Sequence, residues 1–157
     1  MAEWAGQIAF IQIAPMATGK LVSVPEVRAV AGEGLEGDRY FKKIGTYSKT
    51  PGGGRQITLV ELESVEALKR DLKIELEPTQ TRRNIVTRDV PLNHLVGQQF
   101  RLGREVRLQG VRLCEPCDYL ESLTLKGVRE GLLHRAGLRA DILSGGTIKV
   151  GDPITPV

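Results

Sequence analysis

A chain of 157 residues with 41% apolar and 26% charged residues has the size and make-up of one globular domain with a hydrophobic core of its own. A net charge of +3, scattered basic residues and only three Phe, three Tyr and one Trp argue against a nucleic-acid surface and suit a modestly anionic small molecule instead. No apolar run is long enough to cross a bilayer, and the opening MAEWAGQIAFIQIAP lacks the leader of a secreted protein, so a single cytoplasmic domain over residues 1–157, with neither nucleic acid nor membrane as partner, is expected.

In chain order, GQIAFIQIAP (6–15) alternates and is β-branched, which predicts a strand. LVSVPEVRAV (21–30) predicts a second, confined by Pro25 to an edge or a bulge. The stretch from Ala31 to Gln56 is dense in Gly and charge and reads as one long ordered loop, a length that usually carries function. ITLVELESVEALKRDL (57–72) starts as a strand and becomes a helix, its apolar Leu62, Val65, Leu68 and Leu72 at helical spacing and Glu66 placed to pair with Arg70. TRRNIVTRDV (81–90) predicts a short strand with a basic start. PLNHLVGQQFRLG (91–103) gives a turn and a strand, continued by GREVRLQGVRL as a hairpin-like pair. DYLESLT (118–124) and VREGLLHRAG (128–137) read as short helices, the second stopped by Gly137, and residues 138–157 as a last hairpin around Gly145-Gly146. Many short strands and few helices, without regular β-α alternation, predict a mainly β fold: a bent antiparallel sheet or a β-barrel with helices packed outside.

Both cysteines fall in VRLCEPCDYLES (111–122). In a reducing compartment a structural disulfide is disfavoured, and a close Cys pair is more often metal-binding, redox-active or catalytic. A zinc site needs about four soft or imidazole ligands, and only His94 and His134 are available besides the thiols. A thioredoxin-like pair wants a β-α-β setting, which the rest of the chain does not predict. Two small core residues without chemistry remain a third reading. The reading preferred here is one reactive thiolate at Cys117, after Pro116 and before a predicted helix start, with Arg112 adding positive charge and Cys114 supporting.

Three further motifs carry charge. GEGLEGDRYF sets Asp38 and Arg39 among glycines that allow a backbone to approach a ligand closely. PGGGRQ places Arg55 after three glycines, a backbone fit for phosphate although not a P-loop. TRRN offers Arg82, Arg83 and Asn84, two forks for an oxyanion and an amide for a heterocycle edge, with alternation putting Arg82 and Asn84 on one face and Arg83 on the other. Neither His94 nor His134 completes a catalytic triad. Together the motifs predict a pocket for a phosphorylated small molecule that bears sulfur or metal.

The order GLEGDR (34–39), TRRNIVT (81–87), LVGQQFRLG (95–103), VRLCEPCDYLE (111–121) and GGTIKVGDPI (145–154) resembles the MOSC domain, found at the C-terminus of molybdenum cofactor sulfurases and as small stand-alone bacterial proteins. The resemblance runs over nearly the whole chain and implies a strand-rich, barrel-like fold. It implies a cysteine, here Cys117 rather than Cys114, that carries sulfur as a persulfide or ligates the molybdenum of a pterin cofactor. It assigns Arg82, Arg83 and Asn84 to the pterin phosphate, and allows reduction of N-hydroxylated compounds. No aminotransferase-like desulfurase domain accompanies the motifs, so a separate sulfur donor or electron-transfer protein is the expected partner.

Overall fold

The structure is a computed structural model that describes residues 3–16, 19–41 and 53–157. Residues 42–52 of the predicted loop lie outside the described residues. Seven strands form a closed ring: β1 (Gly6–Ile13), β6 (Ile85–Arg88), β5 (Ile57–Glu61), β9 (Leu138–Ser144), β8 (Val106–Leu113), β7 (Gln99–Leu102) and β11 (Pro153–Pro156), in that spatial order. The ring is shut by β1 pairing with β11, Gly6 opposite Ile154 and Gln7 opposite Pro153. Closure leaves these strands without open edges, and period-2 alternation turns one face of each toward a common interior. Ile8, Ile11, Leu59, Ile85, Phe100, Leu108, Leu138 and Ile154 fill it, none more than 1% exposed. The barrel expected from the strand-rich pattern is therefore present.

Pro25 does more than confine a strand to an edge. It separates β2 (Val22–Val24), an extension beside the end of β1, from β3 (Glu26–Val30), which enters a second sheet with β4 (Gly34–Leu35) and β10 (Gly146–Lys149). The stretch read as pure loop thus contains β4. The last twenty residues do not make the predicted hairpin: β9 already has β5 and β8 on its two edges, so β10 pairs with β3 instead.

The β7–β8 pair is the expected hairpin. Between β5 and β6 the pairing is parallel, and parallel neighbours need a crossover. That crossover is α1 (Leu62–Leu72), in the place its helical spacing predicts. Val65 and Leu68 pack with Leu76, with Leu120 and Val128 of two short helices, α2 (Asp118–Ser122) and α3 (Val128–Gly131), and with Leu132 just after α3, making a second core outside the barrel. The anticipated Glu66–Arg70 pair is replaced. Glu66 takes both forks of Arg88 at 2.8 Å, and Arg70 turns to Asp71, because a bidentate guanidinium bond outcompetes a single-turn ion pair. α3 ends well before Gly137, which instead turns with φ +121° against the carbonyl of Leu59. No helix among the described residues is long and apolar enough to cross a membrane.

Two consequences are measurable. Phe100→Ala opens the barrel interior and is expected to cost about 3–5 kcal/mol in urea unfolding. Burial, then the neighbouring Glu63, hold the Glu61 carboxyl above its ordinary range. A raised folded pKa gives stability that is complete below the unfolded pKa and is lost as pH rises through the folded one. Glu61→Gln is therefore expected to raise the melting temperature at pH 7, with the gain vanishing below about pH 4.

Candidate functional site

A cavity of about 360 Å³ opens at the barrel rim where β5, β6 and β9 begin and β8 ends. Its size falls in the range of about 300–1,000 Å³ typical of small-molecule sites. The rim comes from the strands, one wall from α2 and another from the segment after β4 that carries Arg39 and Tyr40. Six arginines line it: Arg39, Arg55, Arg82, Arg83, Arg112 and Arg139. Cys114 and Cys117 line it too.

Each group is held for a local reason. Arg112 and Arg139 stand directly opposite in the β8–β9 register. Gly54, at φ +80°, lets the chain run so close to β8 and β9 that a Cβ there would lie 3.0 Å from the Cβ of Arg139. The Gly54 amide donates to Asp141 Oδ1 at 2.7 Å and Arg112 donates to the Gly53 carbonyl at 3.1 Å. Gly53 and Gly54 are thus what bring Arg55 beside Arg112 and Arg139. Burial and then these two cations lower the Arg55 pKa, although a guanidinium stays charged at neutral pH.

Arg82 closes a 3-10 turn over Pro78–Thr81 with φ 59°. That left-handed residue breaks the two-residue alternation expected for TRRN, so Arg82 and Arg83 both reach the cavity. Arg82 Nη1 donates to the Gly19 carbonyl at 2.9 Å, and its pKa is lowered by burial and then by Arg39. Arg83 is buried, with Nε on the Ala136 carbonyl at 2.9 Å and Nη2 on the Cys114 carbonyl at 3.4 Å. Arg39 is only 6% exposed and lies over the Tyr40 ring at 4.8 Å. Its Nη1 makes no hydrogen bond and has only Asp38 Oδ1, 3.8 Å away.

Two residues proposed from sequence do not line the cavity. Asp38 is wholly buried, accepting from the amides of Ala14 at 2.9 Å and Tyr40 at 3.3 Å, and so fastens the Arg39 segment to the end of β1. Asn84 is spent on the framework. Its Oδ1 accepts from the Thr58 amide at 3.1 Å and its Nδ2 donates to the Gln12 carbonyl at 3.1 Å, locking β5, β6 and β1 together. Conversely, sequence reasoning misses Arg139, Tyr40, Thr58, Glu115 and Tyr119, all on the cavity wall. Arg139 sits in ordinary strand alternation, and only its register beside Arg112 reveals it. Tyr119, two residues past Cys117, carries no distinguishing spacing.

Both cysteines are free thiols. Cys114 is buried at the end of β8, its amide bonded to the Gly137 carbonyl at 2.8 Å. Cys117 is half-buried at the N-cap of α2, and its side chain makes no capping bond. The lone lining carboxylate, Glu115, accepts from the backbone and the Nδ1 of His134, both at 2.9 Å. Among the described residues no group of three or more His, Cys, Asp and Glu could hold a metal ion, so a protein-built zinc site has no ligand set there. A metal that arrives with donors of its own needs only one thiol. The buried Tyr119 hydroxyl and Arg39 Nη1, neither hydrogen-bonded, are donors that an anionic guest would satisfy. The residues therefore fit a phosphorylated, metal-bearing cofactor.

The MOSC domain family model matches residues 46–155, and the chain belongs to that family, which is linked to molybdenum cofactor binding or sulfur-related function. A search of curated proteins finds no match. Among solved structures, the YuaD protein from Bacillus subtilis has a TM-score of 0.77 at 18% identity, with 96% of each chain covered. YiiM from Geobacillus stearothermophilus has a TM-score of 0.71 at 16% identity, covering 97% of this chain and 75% of that one. YiiM from Escherichia coli follows at 0.67 and 15%, covering 98% and 69%. At these identities the likeness establishes the fold.

Asn84→Ala leaves the Thr58 amide and the Gln12 carbonyl without their side-chain partner. It is expected to lower stability by about 1–3 kcal/mol in denaturant unfolding.

Proposed function

We propose that the cavity binds a phosphorylated pterin cofactor carrying molybdenum, with Cys117 as the thiolate presented to the metal. The observation that carries this reading is six guanidinium groups and two free thiols around one cavity, where the only carboxylate among the described lining residues is already engaged by His134. When bound, such a cofactor supplies two-electron oxygen-atom chemistry, of the kind that reduces N-hydroxylated compounds.

This chain's own residues do the rest. Arg82 and Arg83 meet the phosphate, where a planar fork gives two parallel charge-assisted bonds. Arg39, held by Asp38 and stacked on Tyr40, adds a third positive group without the freedom to swing away. Arg83 also grips the Cys114 carbonyl, so one side chain ties the phosphate site to the segment that leads to Cys117. Cys117 faces the cavity with part of its surface reachable, and the adjoining buried leucine, Leu120, limits water on that side. Electrons come from a separate protein.

Exposure of the Cys117 thiol also favours a second reading, a sulfur carrier. There the Cys117 thiolate attacks the outer sulfur of a donor persulfide, the donor thiolate leaves, and the new Cys117 persulfide passes that sulfur on. The thioredoxin-like alternative has weaker support, since its partner thiol, Cys114, is buried at a strand end of a barrel.

Metal and pterin analysis of protein from a molybdenum-replete host tests the proposal. Molybdenum and pterin in near-equal amounts are expected, and Cys117→Ser is expected to lose the metal with its melting temperature nearly unchanged. Metal-free protein whose mass rises by one sulfur atom on Cys117 selects the carrier reading. A Cys117→Ser variant that unfolds overturns both. Arg82→Ala is expected to weaken binding of a phosphorylated ligand about tenfold or more and to flatten its salt dependence. Unchanged affinity removes Arg82 from the site.

A further inference from the structure

Cys117 sits among carboxylates. Glu115, Asp118 and Glu121 all lie within four residues of it in sequence. Each is engaged by the same stretch of chain, α3 and the residues on either side of it. Glu121 accepts from the amides of Gly127 at 3.0 Å and Arg129 at 3.1 Å. Asp118 pairs with Arg129 Nη1 at 3.4 Å. Glu115 accepts from His134 twice, from the backbone amide and from Nδ1, both at 2.9 Å. Of the three, Glu115 alone lines the cavity.

A carboxylate loose beside guanidinium groups is an internal competitor. Arginine takes a carboxylate and a phosphate through the same planar fork. A Glu115 side chain free to turn inward would pair with the rim in place of an anionic guest, and would bring its charge next to the Cys117 thiol. His134 stands in the way of that turn. It adopts φ 65°, a left-handed conformation that non-glycine residues keep where their neighbours hold it. One such neighbour is Asn93, whose Nδ2 donates to the His134 carbonyl at 2.7 Å. So placed, the His134 amide and ring reach the two oxygens of one carboxylate. An ionised carboxylate only accepts, which puts the imidazole proton on Nδ1. Pro116 then joins the held Glu115 to Cys117 through a residue of fixed φ.

Resting on the reading of the cavity as a receptor for an anionic guest, we propose that His134 is a positioning residue, itself outside the lining, that holds the Glu115 carboxylate off the arginine rim and so keeps the Cys117 thiol open to anions.

The test compares iodoacetate with iodoacetamide as alkylating reagents, on the full chain from cells grown without molybdate. The same Cys117 thiolate attacks both, so the ratio of the two rates reports the charge around the thiol, while loosening of the segment changes both rates alike. Peptide mass spectrometry separates Cys117 from Cys114. In His134→Gly the ratio is expected to fall about three- to fivefold, as a unit charge moves several ångströms toward the thiol. Glycine takes the left-handed backbone without strain, so the melting temperature is expected to hold. His134→Ala stands in if the glycine variant melts early. Glu115→Gln is expected to change the ratio little in the wild-type background and to restore it in the His134→Gly background, a coupling that independent groups do not show. His134→Asn tolerates the same backbone and offers an amide nitrogen in place of Nδ1, and is expected to stay near the wild-type ratio. An unchanged ratio in His134→Gly, or the same factor from Glu115→Gln in both backgrounds, overturns the role of His134 and leaves the cofactor reading intact. The coupled pattern in a protein that takes up neither molybdenum nor pterin from replete cells overturns the cofactor reading and keeps the role of His134.

Discussion

Six guanidinium groups around a 360 Å³ cavity repel one another, and the rest of the molecule is arranged to hold them there. A flexible surface would let such side chains splay into water, where their mutual repulsion is screened. This rim does not. Arg83 and Arg39 are buried and tied to carbonyls, while Arg112 and Arg139 are fixed by strand register. The cost is met by a closed barrel whose interior is packed with apolar side chains and whose strands leave no edge to fray. Positive potential concentrated in a concave, low-dielectric setting is stronger than the modest net charge of the chain would suggest.

The framework residues are as specialised as the lining ones. Asn84 occupies the point where β5, β6 and β1 meet, and its amide replaces ladder bonds that the chain cannot make as it leaves the 3-10 turn. Asp38 does the same for the segment after β4. Both are short polar residues buried beside arginines, and both set where an arginine can point. The helical subdomain plays a comparable part. There α2 carries Cys117 at its cap, and Glu121 accepts from the amides of Gly127 and Arg129, fastening α2 to α3.

Local pattern made much of this fold legible. β1, the β5–α1 transition and the β7–β8 hairpin follow from alternation and helical spacing, because their partners are near in sequence or their burial is one-sided. The family resemblance, resting on ordered motifs, named the barrel. What local pattern did not carry was partner choice. β10 has the pattern of a return strand for β9, yet β9 is already flanked, a fact that only the assembled ring contains. The same limit divides the site. Arg39, Arg55 and Arg112 stand out near glycines or cysteines and Arg82 and Arg83 as a doublet, whereas Arg139 is ordinary until register puts it opposite Arg112. Asp38 and Asn84 look like ligand groups because polar residues in glycine-rich or basic stretches look alike whether they face a guest or a neighbouring backbone amide. Burial separates the two, and burial is a property of the fold.

The pairing of β1 with β11 has a consequence in time. The β1–β11 pairing forms only when residues 153–154 are available, so ring closure is among the most sequence-distant contacts described, and such contacts form late. During synthesis the early strands wait on the ribosome with one flank bare, and the arginine-lined rim is not yet backed by a complete wall. The complete rim is therefore assembled only after residues 153–156 have been made, so the ring closes as a late step that backs every arginine at once.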